Sequence, residues 1–226
     1  MSLLTLEHVH KTYLRGSRTV TALDDVSLRV EPGEHVAVWG DRRSGRTTLL
    51  RIAAGLEAPD RGLARFAGET AGGRGWVQAS PLATRQAIVD YVALPLLARG
   101  VGAAEARELA REQLAKVGAS SCTGMRAGEL EAADLLRVGL AQVLVTGPQL
   151  VLVDAPPRDV DVLEREPVMH LLRRVADDGA AVLTTTGEAV GVAGVDRVLT
   201  IADGKVRADV ARTPATVIPL RSYSAG

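Results

Sequence analysis

Aromatic residues are scarce, with 2 Trp, 3 Tyr and 1 Phe among 226 residues. Charge of one sign is lacking as well, since 27 Lys plus Arg are matched by 27 Asp plus Glu. These absences remove both the stacking platform and the basic footprint of a nucleic-acid binder, so no nucleic-acid partner is expected. Cysteine occurs once, as Cys122, which rules out an internal disulfide and suits a reducing cytoplasm. Long apolar runs are missing. No window approaches the ~18 to 20 apolar residues of a membrane span, and the longest candidate, Val138 to Val153, is interrupted by Gly147, Pro148 and Gln149. Met1 to His10 has no basic segment leading into an apolar one, the pattern of a targeting segment. Work at a membrane would have to come through a partner. What is present, 46% hydrophobic and 24% charged residues, suffices for one large α/β core with an appended subdomain.

The chain is organised around Val36 to Leu50. Val36 to Trp39 has the character of a buried strand, and it empties through Gly40 into a polar turn, Asp41, Arg42, Arg43 and Ser44. The turn closes at Gly45, after which Arg46, Thr47 and Thr48 lead into a helix. Two glycines at this spacing, between a strand and a helix, follow the plan of a phosphate-binding loop. Backbone N–H groups and a helix N-terminus converge on phosphate, a lysine adds charge, and a hydroxyl holds Mg²⁺. Arg46 stands at the lysine position. A guanidinium is a wide planar fork where an ammonium is a compact point charge, so the layout is intact and the chemistry altered. Arg42 and Arg43 either add charge towards phosphate or are solvated surface residues.

Strand-like alternation over Leu3 to Val9 and Val20 to Val30 flanks a glycine-bearing turn at Leu14 to Arg18. Thr47 to Gly55 reads as a helix, Ala64 to Ala67 as a strand, Gly68 to Gly75 as a glycine-rich patch and Trp76 to Gln78 as the end of a strand. Ile88 to Val117 is helical, with Ala103 to Lys116 a good helix former closed by Gly118, and Leu130 to Leu144 is helical again. Leu150 to Val153 is the continuous apolar run of a strand covered on both faces, and it ends in Asp154. An amphipathic helix over Val162 to Asp178, strands over Ala180 to Thr185 and Arg197 to Ile201, and a hairpin turn at Asp203-Gly204 into Lys205 to Asp209 complete the order, with a loosely held tail after Thr213. Strands alternating with helices predict a mainly parallel sheet sandwiched by helices, with an antiparallel fringe at the N-terminus. His35 and His170 have no ligand spacing and read as structural.

The stretches Leu4 to Tyr13, Thr21 to Gly40 and Thr47 to Gly62 resemble, almost phrase by phrase, the opening of the ATP-binding subunit of ABC transporters. The resemblance extends along nearly the whole chain, and Asp90 to Leu97 is similar to the branch serving lipoprotein-release and macrolide-export systems. It implies a P-loop NTPase core over residues 1–226 as a single ATP-binding domain, with an antiparallel β subdomain and a helical subdomain at about 80–140. It also implies ATP and Mg²⁺ as ligands, a homodimer or heterodimer with another ABC ATPase, and an integral membrane permease as partner. The chain would then lie in the cytoplasm, peripheral on the inner face of the membrane, with Pro81 and Leu82 in the docking groove. Among binding residues, Tyr13 matches the aromatic that stacks on adenine. The loop Gly40 to Thr48 matches the phosphate cradle, Thr47 and Asp154 the Mg²⁺ ligands, and Gln78 the glutamine that joins the Mg²⁺ site to the groove.

The hydrolytic positions depart from the family. Ala155 stands where a glutamate would polarise the attacking water, and Gly187 where a histidine would contact the γ-phosphate. Leu130 to Asp134 reads Leu-Glu-Ala-Ala-Asp in place of Leu-Ser-Gly-Gly-Gln, setting Glu131 and Asp134 near the spot where the family meets a partner's γ-phosphate. The expectation is a nucleotide-binding subunit with weak or absent hydrolysis. Two alternatives stay open: an active ATPase recruiting Glu188 or Asp159 as base, or an interaction module that binds no nucleotide because Arg46 blocks the loop.

Overall fold

Leu150 to Val153 forms strand β6 (Leu150–Asp154), and its side chains alternate between two separate cores. Leu150 and Leu152 join one cluster, Val151 and Val153 the other, and all four are fully buried. A strand buried on both faces needs partners on both edges and cover above and below. In the computed structural model, which describes residues 1–68, 73–78, 86–154, 162–187 and 194–211, β6 lies inside a six-stranded sheet.

The chain begins with β1 (Leu4–Arg15), β2 (Arg18–Val30), β3 (His35–Trp39), helix α1 (Arg46–Ala53), β4 (Arg61–Phe66) and β5 (Arg74–Gln78). Helices α2 (Ile88–Ala98), α3 (Ala103–Lys116) and α4 (Ala132–Leu144) precede β6. Helix α5 (Val162–Asp177), β7 (Ala181–Thr186), β8 (Arg197–Ala202) and β9 (Lys205–Ala211) follow it. The large sheet has the order β5-β6-β7-β3-β8-β9, parallel except for the β8–β9 hairpin, and β2-β1-β4 form a separate antiparallel sheet. One face of the large sheet packs on α1 and the antiparallel sheet, the other on α2, α3, α4 and α5. This is the expected α/β architecture. No helix among the described residues is long and apolar enough to cross a membrane.

Boundaries shift where backbone pairing outweighs side-chain pattern. The turn expected from Leu14 narrows to two residues because β1 continues to Arg15, opposite Arg18. The strand expected at Ala64 starts three residues earlier, at Arg61, since β4 is held by its ladder to β1 while its residues from Arg61 to Arg65 stay exposed. Part of the glycine-rich patch is β5, parallel to β6. Asp203 and Gly204 both take positive φ, 50° and 72°, the geometry of a tight hairpin turn. The tail after Thr213 lies outside the described residues.

His35 opens β3 with a fully buried ring, its Nε2 3.4 Å from the Thr184 hydroxyl, and its backbone N–H donates to the Asp196 carboxylate at 2.8 Å. Burial, reinforced by the Arg173 guanidinium and opposed by Asp196, lowers its pKa from the ordinary 6.5 to about 4. Between those values the unfolded chain takes up a proton that the native state refuses. Stability is therefore complete above pH 6.5 and declines by about 3 kcal/mol as pH falls through the window. Urea titrations at pH 7 and pH 4 are expected to show that decline, and His35→Leu is expected to flatten this part of the slope.

Candidate active site

Parallel strands deliver their C-terminal ends to one edge of the large sheet. Gln78 is in register with Asp154, Val153 with Thr184, and Trp39 with Thr186. Thus the ends of β5, β6, β7 and β3 lie side by side in that order, and the loop 40–45 springs from the same edge. Ligands of open α/β sheets bind outside the carboxyl ends of their strands.

The loop is tight because its glycines are approached by backbone. A Cβ on Gly40 would lie 2.2 Å from the Ile201 carbonyl oxygen, and one on Gly45, where φ is 104°, 2.2 Å from that of Ala22. Ser44 N–H closes the turn onto the Asp41 carbonyl at 3.2 Å, and Arg43 sits beside it with φ of 66°. Asp41, Arg42 and Arg43 are exposed. Gly45 is the N-cap of α1, whose first N–H groups have no partner within the helix and face the loop. The Ser44 hydroxyl lies inside, 2.7 Å from where a Gly40 Cβ would stand. It is buried without a hydrogen-bond partner among the described residues. Such a hydroxyl costs about 1–3 kcal/mol, and an anion in the loop would satisfy it.

Thr47 donates its hydroxyl to Asp154 Oδ1 at 3.3 Å, and Thr185 donates to the same oxygen at 2.8 Å. A hydroxyl and a half-buried carboxylate in direct reach, beside an anion cradle, are the oxygen donors that a small hard cation such as Mg²⁺ takes, usually keeping several waters. Arg46 begins α1 and stretches back across the loop towards the end of β7, where its guanidinium lies against Gly187.

Tyr13 flanks this cradle from β1. Its half-buried phenol donates to Glu57 at 2.8 Å, 3.5 Å from the hydroxyl of the half-buried Thr48, and burial is the main cause of its raised pKa. Lys11 sits 5.7 Å from its ring centroid and pairs with Asp60 at 3.0 Å and Glu57 at 3.4 Å. The Lys11 ammonium and two bonds from Thr12 pull Asp60 down to about 2. Glu57 and Lys11 therefore tie β1 to the end of α1 and fix the tyrosine beside the loop.

At the altered signature, Glu131 is the exposed N-cap of α4 and makes no side-chain cap bond. Asp134 differs from the expectation of a second bare carboxylate: Arg137 lies 3.5 Å away and is shared with Glu164, so much of its charge is compensated. Of the remaining candidates, Gln78 has its backbone at the site edge, while Ala155, Asp159, Glu188, Pro81 and Leu82 lie outside the described residues.

Thr185 and Glu57 were not legible as site residues. Three consecutive threonines ending an otherwise aliphatic strand are the signal for Thr185, because a buried hydroxyl must find an acceptor. Glu57 carries no comparable sign.

Residues 23–158 match the family described as ABC transporter. A lipoprotein-releasing system ATP-binding protein, LolD, of Chromohalobacter salexigens is 33% identical over 222 residues, covering 92% of this chain and 94% of that protein. The macrolide export ATP-binding/permease protein MacB of Chlorobium luteolum is 35% identical over 224 residues, covering 93% of this chain and only 34% of that longer protein. The solved dimer of the ATP-binding cassette MJ0796 in a post-hydrolysis state, bound to ADP and phosphate, superposes with a TM-score of 0.81 at 25% identity, over 93% of this chain and 99% of that one.

Proposed function

Because this chain belongs to the ABC transporter family as an ATP-binding domain, we propose that it binds Mg²⁺–ATP, hydrolyses it weakly or not at all, and serves a structural or regulatory role beside a permease. The observation that carries this reading is a contrast between the geometry of the sheet edge and the residues that the sequence offers for hydrolysis. The phosphate loop, the orphaned Ser44 hydroxyl and the Thr47–Asp154 pair are in place, while Ala155 and Gly187 hold the positions of base and histidine.

In this reading the loop N–H groups, the α1 N-terminus and Ser44 bind the phosphates, Arg46 adds charge, and Tyr13 stacks on the adenine. Thr47 and Asp154 would hold the cation, with Thr185 orienting the carboxylate, and Gln78, at the end of β5, would join the Mg²⁺ site to the docking groove. When bound, Mg²⁺ supplies charge neutralisation between phosphate oxygens. A methyl group at 155 accepts no proton, so an attacking water stays unactivated. The helices α2 to α4 belong to the helical subdomain of a single domain, which would offer the docking surface for the permease. The name of MacB, an ATP-binding/permease protein, supports such a partner, and through it this chain would be held at the inner face of a membrane. The MJ0796 dimer supports pairing with a second cassette.

Isothermal titration with Mg²⁺–ATP tests the binding half. Saturable binding is expected, with Asp154→Asn lowering affinity about tenfold or more in Mg²⁺ and little in EDTA. Equal affinity of the two proteins in Mg²⁺ removes Asp154 from the cation site, and no binding by the wild type ends the reading.

A further inference from the structure

Two of the departures from the family pattern touch each other. Gly187 does not have positive φ, so its backbone conformation does not call for glycine. Space does. A Cβ on Gly187 would stand 3.2 Å from Arg46 Nη1, 3.7 Å from Nη2 and 3.4 Å from the Gly40 carbonyl oxygen. The guanidinium thus borders the space that a side chain at 187 would enter, and its Nη1 is shielded from solvent there. An ammonium on the shorter lysine stem carries no such planar fork and makes no comparable demand on that volume.

We propose that Arg46 and Gly187 are one unit, in which glycine at 187 is the berth of the guanidinium and Arg46, from that berth, supplies the terminal-phosphate contact at the end of β7 and favours nucleoside triphosphate over diphosphate. Gly187 is then a positioning residue and Arg46 the binding group. A guanidinium fork suits bidentate contact with a phosphate, and this one lies against Gly187 at the end of β7, where the Gly40 carbonyl of the loop is also close. Loss of lysine and loss of histidine become one exchange, because a histidine at 187 and an arginine at 46 contend for one volume. The phosphate half rests on the function proposed above; the shared volume does not.

The test uses the full chain as wild type, Gly187→Ala, Gly187→His, Arg46→Lys, Arg46→Ala, Arg46→Lys with Gly187→His, and Arg46→Ala with Gly187→His. Without nucleotide, Gly187→His is expected to lower the melting temperature by several degrees when Arg46 is present and clearly less when it is alanine; an equal loss in both backgrounds overturns the pairing. With nucleotide, Gly187→His is expected to weaken Mg²⁺–ATP about tenfold or more and Mg²⁺–ADP much less, and the added Arg46→Lys to recover most of that loss. Additive losses, or equal losses for the two nucleotides, overturn the phosphate role. Should the histidine variant not fold, Gly187→Ala, whose Cβ asks the guanidinium to move only a few tenths of an ångström, gives a smaller loss of the same sign, and no loss counts against the proposal. A wild type that binds neither nucleotide defeats the proposed function and the phosphate role together, while the melting temperatures still decide the pairing.

Discussion

With saturating Mg²⁺–ATP, the purified chain is expected to release phosphate at least about 10²-fold more slowly than a cassette that carries glutamate after its strand-tip aspartate. Removal of a positioned general base alone accounts for about 10²- to 10⁴-fold. Here the loss coincides with Gly187 and with the altered signature, and residues that act as a unit do not lose their effects additively. Ala155→Glu by itself should therefore recover only a small part of the deficit, since the new carboxylate would face a site still lacking the histidine and a partner's signature. Phosphate release is to be read against Asp154→Asn prepared in parallel, which reports contaminating ATPase. Glu188→Gln and Asp159→Asn are expected to leave any residual rate unchanged. A brisk wild-type rate that either substitution abolishes would establish recruitment of an unorthodox base instead.

Sequence and structure agree best where side-chain pattern itself dictates the backbone. Leu150 to Val153 could only be a strand with cover on both sides, and the two glycines of the loop mark approaches of 2.2 Å to backbone oxygens that no side chain tolerates. They part where the determinant is a neighbour distant in sequence. Arg61 to Arg65 carry no strand pattern because nothing covers them, and only the ladder to β1 makes them a strand. At the candidate site, the loop and the strand tip are local features, and the family resemblance singled out Thr47 and Asp154 on them. The Thr185 bond to Asp154, the Glu57 bond to Tyr13 and the contact of Arg46 with Gly187 exist only once β6, β7, β1 and α1 are assembled. Asp134 makes the same point: its carboxylate is legible, the compensation by Arg137 and Glu164 less so.

That compensation shifts the burden of the altered signature onto Glu131, and the consequence is a second large effect, on dimer closure. In the proposed assembly the α4 N-terminus faces the terminal phosphate of the partner subunit's nucleotide. A helix N-terminus favours an anion, but this one already carries its own exposed carboxylate at the N-cap, with no cation beside it among the described residues. Two like charges about 4 Å apart repel by roughly 4 kcal/mol at an effective dielectric of about 20, equivalent to nearly 10³-fold in association before salt screening. Asp134 contributes less, because Arg137 accompanies it. With a hydrolysis-deficient intact cassette as partner and Mg²⁺–ATP present, Glu131→Ser is therefore expected to tighten heterodimer formation by at least about tenfold in sedimentation at low salt, and Asp134→Asn by far less. Raising the ionic strength should narrow the gap between wild type and Glu131→Ser, since an exposed charge is screened. With ADP the gain should shrink, because the repelling terminal phosphate is gone. A Glu131→Ser protein that associates no better than wild type in ATP at low salt would show that charge at the α4 N-terminus does not hold the two cassettes apart.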